Sequence, residues 1–294
     1  MKRPALFLVT CFCLVFITGE SFAAHGHYVS GIEGIKAATF PGEGFYWRMY
    51  NVNYTAKRYN DNSGNKNGNF NADIFVMANR FIYNTGWQFL GADYGFDIIV
   101  PVQNTNLRMG GAFDREKFGF GDILVEPVIL AWHGERWDAL VAAGAYVPSG
   151  YYKSSNPASP GKGFWTFMGT AGGTVFFDAE KSWHASVLAR YEVHTRQQDT
   201  RITPGNDFHF EWGAGKTFAG LYDVGVAGYC GWQLTDDSGS GSNDLREKVY
   251  GIGPEIGAAI PSLGLHVSLR SVWEFENRNA SQGNITTLTF TKGF

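Results

Sequence analysis

Apolar and polar side chains alternate along several stretches of this chain. Over residues 183–193 the odd-numbered positions are apolar or aromatic, and most even-numbered positions are polar or charged. A similar alternation runs over residues 265–276. Because successive side chains of a β-strand point to opposite faces, a period of two predicts strands with one apolar and one polar face. These stretches therefore favour a wall that separates water from an apolar medium.

The clearest hairpin lies in the middle of the chain. Residues 119–133 and 137–148 are two runs rich in β-branched, aromatic and small side chains, joined by residues 134–136. Each run is longer than the roughly 5–6 residues of an ordinary soluble strand. In the first run Asp122 and Glu126 share one predicted face, and the opposite face is apolar: Ile123, Val125, Pro127, Ile129 and Ala131. A tilted strand of about ten residues is long enough to cross a bilayer.

The same rhythm continues from residue 45 to the end of the chain. It predicts strands at 45–58, 73–83, 87–100, 118–133, 137–148, 164–178, 183–195, 208–219, 221–234, 248–260, 263–277 and 284–294. Short connections lie at 84–86, 134–136, 179–182, 220 and 261–262. Longer connections, rich in Gly, Asn, Ser and Pro, lie at 59–72, 101–117, 149–163, 196–207 and 235–247, and a shorter one lies at 278–283.

This pattern predicts an all-β fold: a transmembrane, antiparallel, up-and-down β-barrel of about 12 strands in the bacterial outer membrane, formed by residues 45–294. Such barrels have an even number of strands, short periplasmic turns and longer external loops. The sheet must close because lipid offers no partner for an unpaired backbone group. Residues 24–44 carry little pattern, and we expect them in the lumen or at the periplasmic mouth. The alternative is a soluble, lipocalin-like barrel, in which the apolar faces would point into a core.

Residues 1–23 have the features of a cleavable signal peptide. Lys2 and Arg3 precede an apolar segment over residues 5–17, and Ser21-Phe22-Ala23 places small residues where cleavage is set. We expect cleavage after Ala23. It would leave Cys230 as the remaining cysteine, so no internal disulfide is predicted.

Composition narrows the function classes. Charged residues make up 17% of the chain, the formal net charge is −3, and no basic run marks nucleic-acid binding. We predict no cofactor and no metal site. His25 and His27 have a spacing that suits a metal, but no Cys or carboxylate cluster accompanies them.

The last predicted strand adds a more specific signal. The chain ends in Phe294, with Phe290 and Leu288 at even spacing behind it. This end is similar to the C-terminal signature by which bacterial barrel proteins are recognised by the barrel assembly machinery. The expected partners are therefore that machinery, outer-membrane lipid and lipopolysaccharide.

The central hairpin also resembles a known family. Gly119-Phe120-Gly121-Asp122-Ile123, Glu126-Pro127, Trp132-His133-Gly134, Trp137-Asp138, Tyr146 to Tyr151 and Gly163 to Thr166 look like the outer-membrane proteins named for the meta pathway of phenol degradation. The resemblance is close over residues 119–166 and loose elsewhere. It implies a channel or transporter for uptake of small hydrophobic or aromatic compounds, associated with aromatic catabolism. It carries over no catalytic motif, so no enzyme activity is expected.

The candidate site is the polar face of the wall, which should line the lumen. Its ionisable residues form the predicted substrate path: Asp93, Asp97, Asp122, Glu126, Arg190, Glu192, His194, His209, Glu211, Glu255, Arg270, Glu274 and Glu276. The competing interpretation is structural. In a narrow barrel these groups would pair with one another, because unpaired charges there are costly.

Two other function classes remain open. His184 and Ser186, like His266 and Ser268, share a strand face, as the nucleophile and base of a membrane-embedded phospholipase would. Both pairs lie on the predicted lumen face, whereas a phospholipase must reach lipid. The other class is a structural or adhesive barrel whose outer loops bind a partner, with the acidic loop at 235–247 as its candidate.

Overall fold

The computed structural model describes residues 26–67 and 69–294. The predicted signal peptide, its cleavage after Ala23 and the metal-ligand candidate His25 lie outside the described residues. The described part is built almost entirely of strands. Among these residues, no helix is long and apolar enough to cross a membrane.

The described chain contains fourteen strand segments and one 3-10 turn. The strands are β1 (Gly44–Asn60), β2 (Lys66–Asn67), β3 (Phe70–Phe89), β4 (Ala92–Met109), β5 (Phe113–Phe120), β6 (Ile123–His133), β7 (Trp137–Val147), β8 (Thr166–Phe176), β9 (Trp183–His194), β10 (Asp207–Phe218), β11 (Tyr222–Gln233), β12 (Lys248–Ile260), β13 (Leu265–Glu274) and β14 (Ala280–Gly293). The 3-10 turn, Pro261–Leu263, joins β12 to β13.

The sheet closes into a barrel because β14 also pairs with β1, from Tyr46 opposite Gly293 to Asn60 opposite Ala280. β5 and β6 pair with the two halves of β4, so they are one wall strand interrupted at residues 121–122. β2 adds a two-residue extension to the end of β1. The remaining segments make a wall of twelve antiparallel strands in the described residues, which confirms the predicted architecture.

The two faces of the wall differ as predicted. In β9 the side chains of Trp183, Val187, Tyr191 and Val193 are 40–52% exposed, whereas His184, Ser186, Arg190, Glu192 and His194 are at most 5% exposed. Charged groups therefore line the interior and apolar groups cover the outside. This arrangement, with apolar groups outside and charged groups inside, is the reverse of that in a soluble protein and is typical of a barrel embedded in lipid. The lipocalin-like alternative is therefore wrong.

Two predicted connections are placed differently. Residues 84–86 do not form a turn: β3 continues through them with a register shift between Asn84 and Gln88. The turn lies at Leu90-Gly91, where both φ angles are positive, as a tight two-residue hairpin requires. The predicted loop at 101–117 is mostly strand, because β4 and β5 form a long hairpin whose polar residues extend the wall at its long-loop end.

In β6, the side chains after Pro127 point to the opposite face of the wall from the one predicted. The pairing of β6 with β7 shifts between Val125 and Val128, around Pro127, which has no backbone N–H to donate. As a result, Val125 and Val128 are both outward and more than one-third exposed, while Ile129 and Ala131 are 2% and 1% exposed. The prediction that Ile129 and Ala131 face lipid is wrong, because the bulge turns them into the lumen.

The described N-terminal residues 26–43, here called the N-terminal segment, lie inside the barrel. His27 contacts Asp122 and Thr166 at the end of the barrel that carries the long loops. Farther along, Ser186 donates a hydrogen bond to the Ile35 carbonyl. Pro41 accepts one from Asn84 near the short-turn end. The segment therefore runs through the lumen from the long-loop end to the short-turn end and then enters β1.

Candidate functional site in the barrel lumen

Arg80 is the centre of a buried ionic network. Its guanidinium reaches Asp97 at 2.7 Å, Glu33 at 2.9 Å and Glu126 at 3.2 Å. Glu33 belongs to the N-terminal segment and also accepts a hydrogen bond from Tyr50 at 2.6 Å. Burial alone would raise the pKa of Glu33, but the positive charges of two arginines, one of them Arg80, hold it below its usual value. The segment thus supplies one anion to arginines of the wall.

A second ionic network joins β9 to β10. Arg190 donates to Glu211 at 2.6 Å, and both side chains are at most 5% exposed. The Arg190 guanidinium lies 3.8 Å from the centroid of the Tyr28 ring, whose hydroxyl donates to Glu211 at 2.7 Å. Tyr28 also stacks on His209. This arrangement fixes the segment by charge, ring stacking and a hydrogen bond at one level of the lumen.

Wall carboxylates bind the backbone of the segment. Glu192 accepts from the N–H groups of His27 and Tyr28, both at 3.0 Å. Glu211 accepts from the N–H groups of Gly31 and Glu33, at 2.8 and 2.9 Å. Charged acceptors make these hydrogen bonds stronger than neutral ones. The contacts use the backbone, so they leave no side-chain pattern in the segment.

Wall side chains also bind the backbone of the segment nearer the short-turn end. Glu255 accepts from the Ile35 N–H at 3.0 Å, and Arg270 donates to Glu255 at 3.0 Å. Arg270 also donates to the carbonyls of Gly31 and Ile32. The wall therefore supplies partners for backbone donors and acceptors of a segment that forms no helix or strand, as buried backbone groups require.

A polar cluster closes the long-loop end; we call Asp122, His27, Thr166, His194, Asp207 and Glu192 the mouth cluster. The His27 ring hydrogen-bonds Asp122 at 2.8 Å and Thr166 at 2.6 Å. His194 bonds the same Thr166 hydroxyl at 2.7 Å and Asp207 at 3.0 Å.

Burial and hydrogen bonds shift the pKa values of two groups of this cluster that lie outside the strands, His27 and Asp122. Burial lowers the pKa of His27 to about 4. Burial alone would raise the pKa of Asp122, but hydrogen bonds from His27 and from backbone N–H groups hold it below its usual value. The N–H groups of Gly150 and Lys162 donate to Asp122 at 2.8 and 2.7 Å. Asp122 therefore ties the interrupted strand to the loop at 148–165.

An apolar site lies deeper in the lumen. Phe40 of the N-terminal segment is 6% exposed and packs with Ala38 against inward apolar residues of four wall strands. These wall residues are Ile82, Ile129, Ala131, Leu140 and Leu188. The ring also touches the backbone of Gly95, where an added Cβ would lie 2.6 Å from Cζ of Phe40. An apolar patch is unusual in a barrel lumen, which is normally polar.

The free space in the lumen is uneven. At the short-turn end a vestibule of about 900 Å³ opens, bordered by Lys36, Lys181, Lys216 and Asp138. Beside Phe40 and Arg190 the gap is only about 30 Å³, room for one or two water molecules. The described segment and the ion pairs therefore close the lumen at this level.

The structure brings most of the predicted lumen residues together. Asp97, Glu126, Arg190, Glu211, Glu255 and Arg270 lie in the buried ionic networks. Asp122, Glu192 and His194 belong to the mouth cluster, and His209 stacks on Tyr28. Glu274 accepts hydrogen bonds from the hydroxyls of Tyr54 and Tyr229. Asp93 is a half-buried neighbour of His133 at the short-turn end.

Glu276 is the exception. It lies exposed in the connection after β13, with a φ of 53°, so the prediction that it projects into the lumen is wrong. Sequence reasoning also missed several residues of the site: Tyr28, Glu33, Phe40, Arg80, Thr166 and Asp207. Arg80 had a detectable signal, since an arginine amid the apolar residues of β3 calls for a buried partner. The others depend on contacts between distant parts of the chain.

The His–Ser pairs are not arranged as a base and a nucleophile. Ser186 donates its hydroxyl hydrogen to the Ile35 carbonyl at 2.9 Å. His266 bonds Asp223 at 3.1 Å. Ser186, Ser268 and His184 are all less than 9% exposed, on the lumen side of the wall. Neither pair reaches the lipid face.

The closed wall, its apolar exterior and its charged, filled interior define a bacterial outer-membrane β-barrel. Residues 56–290 match the family model described as "Putative MetA-pathway of phenol degradation", so the chain belongs to this family. The predicted family and localisation are thereby confirmed.

A solved channel structure shows the same fold. The COG4313 outer membrane channel from Pseudomonas putida F1 aligns with a TM-score of 0.78 at 10% identity, covering 87% of this chain and 97% of that one. The β domain of the Bordetella autotransporter BrkA aligns with a TM-score of 0.49 at 12% identity, covering 86% and 100%. No protein among the curated sequences matches this chain.

Proposed function

We propose that this protein is a gated outer-membrane channel for the uptake of small hydrophobic or aromatic compounds, associated with aromatic catabolism. The observation that carries the proposal is the position of Phe40. Its ring occupies an apolar site inside an otherwise polar lumen, against Ile82, Ile129, Leu140 and Leu188. A small aromatic molecule has the size and polarity of this ring, so it can occupy the same site when the segment withdraws.

The family description supports the proposal because it links these proteins to phenol degradation. The narrow gap in the lumen is the reason for proposing a gate. With the N-terminal segment in place, the gap beside Phe40 is about 30 Å³. The predicted lumen residues, among them Arg190, Glu211, Glu255 and Arg270, act in this proposal as the wall that holds the segment and as the polar part of the path.

The test measures uptake of radiolabelled toluene by cells that carry the protein in an intact outer membrane. Cells with the wild-type protein should take up toluene faster than cells without it. Phe40→Ala should raise the rate further, because it vacates the apolar site. Phe75→Ala is the matched control, since Phe75 lies on the outer face of β3 and is 47% exposed. Equal rates with and without the protein would refute the proposal.

Conductance tests the gate separately. In planar bilayers the wild-type protein should show low conductance, and a variant that lacks residues 26–43 should show a larger and steadier one. A large open conductance of the wild-type protein would contradict a lumen closed by the segment.

We further propose that the protein catalyses no reaction. The buried position of Ser186 and its bond to the Ile35 carbonyl support this. The Ser186→Ala variant should keep wild-type toluene uptake, and loss of a measurable lipase activity in this variant would favour the hydrolase alternative.

For biogenesis, we propose that the barrel assembly machinery binds the C-terminal strand and that lipopolysaccharide surrounds the long-loop end. Phe294 is 75% exposed and its ring lies 5.6 Å from Phe45 at the barrel edge. Deleting Phe294 should lower the amount of heat-modifiable protein in the membrane fraction relative to Phe75→Ala.

A further inference from the structure

We propose that Glu192, His194 and Asp207 of the mouth cluster bind one divalent transition-metal cation, of which Zn²⁺ is the test case. One ligand atom from each of the three side chains lies within 4.8 Å of the others. The set offers one imidazole nitrogen and two carboxylate oxygens, which are donors that Zn²⁺ accepts in proteins. Glu192 and His194 come from β9, and Asp207 is the first residue of β10.

A chain of hydrogen bonds holds the His194 ring in place. It runs from Asp122 to His27, Thr166, His194 and Asp207 through four contacts of 2.6–3.0 Å. The His194 ring is bonded through both nitrogens, with Nδ1 on the Thr166 hydroxyl and Nε2 on Asp207. The Nε2 atom of His194 therefore lies next to one of the two proposed carboxylate ligands.

A cation at the His194–Asp207 end is compatible with this chain of contacts. His194 would then ligate through Nε2 and donate its Nδ1–H to Thr166. The Thr166 hydroxyl would donate to His27, and His27 would donate to Asp122. Every contact would have one hydrogen or the metal. Such an outer partner on the second imidazole nitrogen is what orients metal-binding histidines in general.

The opposite end of the chain offers fewer ligands. It ends in the single carboxylate of Asp122, which accepts from the N–H groups of Gly150 and Lys162. At the His194 end two carboxylates, Glu192 and Asp207, converge. The backbone of Gly26 packs closely against both, since an added Cβ would lie 2.7 Å from Oε2 of Glu192 and 3.0 Å from Oδ2 of Asp207. The lack of a side chain at Gly26 therefore lets the segment approach both carboxylates.

The closeness of the two carboxylates favours the same location. Oxygens of Glu192 and Asp207 and a ring nitrogen of His194 all lie within 4.8 Å of one another. A divalent cation between them would offset the repulsion of the two acidic groups. Because Glu192 also accepts the N–H groups of His27 and Tyr28, the bound cation would fasten the N-terminal segment to the wall.

The test titrates Zn²⁺ into purified, chelator-treated full-length protein by calorimetry. The wild type should bind one Zn²⁺ per chain. His194→Gln should weaken binding at least about tenfold, and Thr166→Val, which keeps all three ligands, about 10- to 100-fold. His209→Gln is the matched control, because His209 is a buried histidine of β10 outside the mouth cluster, and this variant should bind like the wild type.

Two results would overturn the proposal. One is wild-type protein that takes up no Zn²⁺ in this titration. The other is equal Zn²⁺ affinity of His194→Gln and His209→Gln. Heat-modifiable migration on a denaturing gel checks that each variant is folded. If His194→Gln does not assemble, the wild-type stoichiometry and the folded Thr166→Val variant decide the question.

Discussion

Nη1 of Arg190 donates a hydrogen bond to Oε2 of Glu211 at 2.6 Å, in adjacent strands and away from solvent. The same carboxylate accepts from the Tyr28 hydroxyl and from two backbone N–H groups of the N-terminal segment. Glu211 therefore connects the stability of the wall to the position of the segment. This link makes the residue the most informative place to perturb the lumen.

Glu211→Gln should destabilise the folded protein by about 3–5 kcal/mol, because it leaves the Arg190 charge buried without its anion. The free energy of unfolding in urea, measured in lipid vesicles, checks this value. The matched control is Asp236→Asn: Asp236 pairs with Arg246 at the same distance of 2.6 Å, but both side chains are largely exposed. That variant should unfold like the wild type, since exposed ion pairs contribute little. Equal effects of the two variants would contradict the structural role of the buried pair.

Gly213→Ala should release the segment while the barrel persists. A Cβ at Gly213 would lie 2.6 Å from Cα of Ile35, a backbone atom that cannot move unless the segment does. Gly169→Ala in β8 is the control, since no atom lies within 4 Å of its added Cβ. Conductance in planar bilayers should rise for the first variant and stay at the wild-type level for the second. Unchanged conductance of a folded Gly213→Ala protein would mean that the segment does not gate the lumen.

The barrel was predictable because its signals are local. The alternation of Val187 and Ser186 or of Leu269 and Arg270 reports the two faces of a wall within a few residues. The bulge at Glu126–Pro127 was not predictable in the same way. It inserts one residue into β6, and this reverses the facing of Ile129 and Ala131, which a strict period of two assigns to lipid.

The site was only partly predictable, since its contacts are non-local. Glu192 and Glu211 stood out as charges on the polar face of a strand, but their ligands are backbone N–H groups of the N-terminal segment, which carry no sequence pattern. Likewise, the loop between β9 and β10 separates His194 from Asp207 in sequence, and only the fold brings them together. The prediction of no metal site considered only His25 and His27 as ligands. It therefore did not consider Glu192, His194 and Asp207 together.

Acid should loosen the segment through Glu33. Its pKa in the folded protein is lowered below the ordinary value of 4.5, chiefly because the arginine charges outweigh the effect of burial. A depressed carboxyl pKa gives stability that is present above 4.5 and is lost as the pH falls through the lower, folded value. Conductance should therefore rise when the pH is lowered below 4.5. In Glu33→Gln it should be raised already at pH 7 and change less with acid, and an identical pH profile of this variant and the wild type would contradict the role of Glu33.

The wall itself is tested by placing a charge at two depths on one face. Val187 lies in the middle of β9 and is 48% exposed, whereas Val193 lies near the long-loop end of the same strand and is 40% exposed. Both face outward, so arginine at either position meets the medium around the barrel. Val187→Arg should cost about 2–4 kcal/mol of folding free energy in lipid vesicles, because the charge lies near the bilayer midplane. Val193→Arg should cost about 0–1 kcal/mol, because its side chain reaches the interface. Equal costs in vesicles would mean that this face of β9 does not span the hydrocarbon layer, and the comparison would then exclude the membrane position assigned to the barrel.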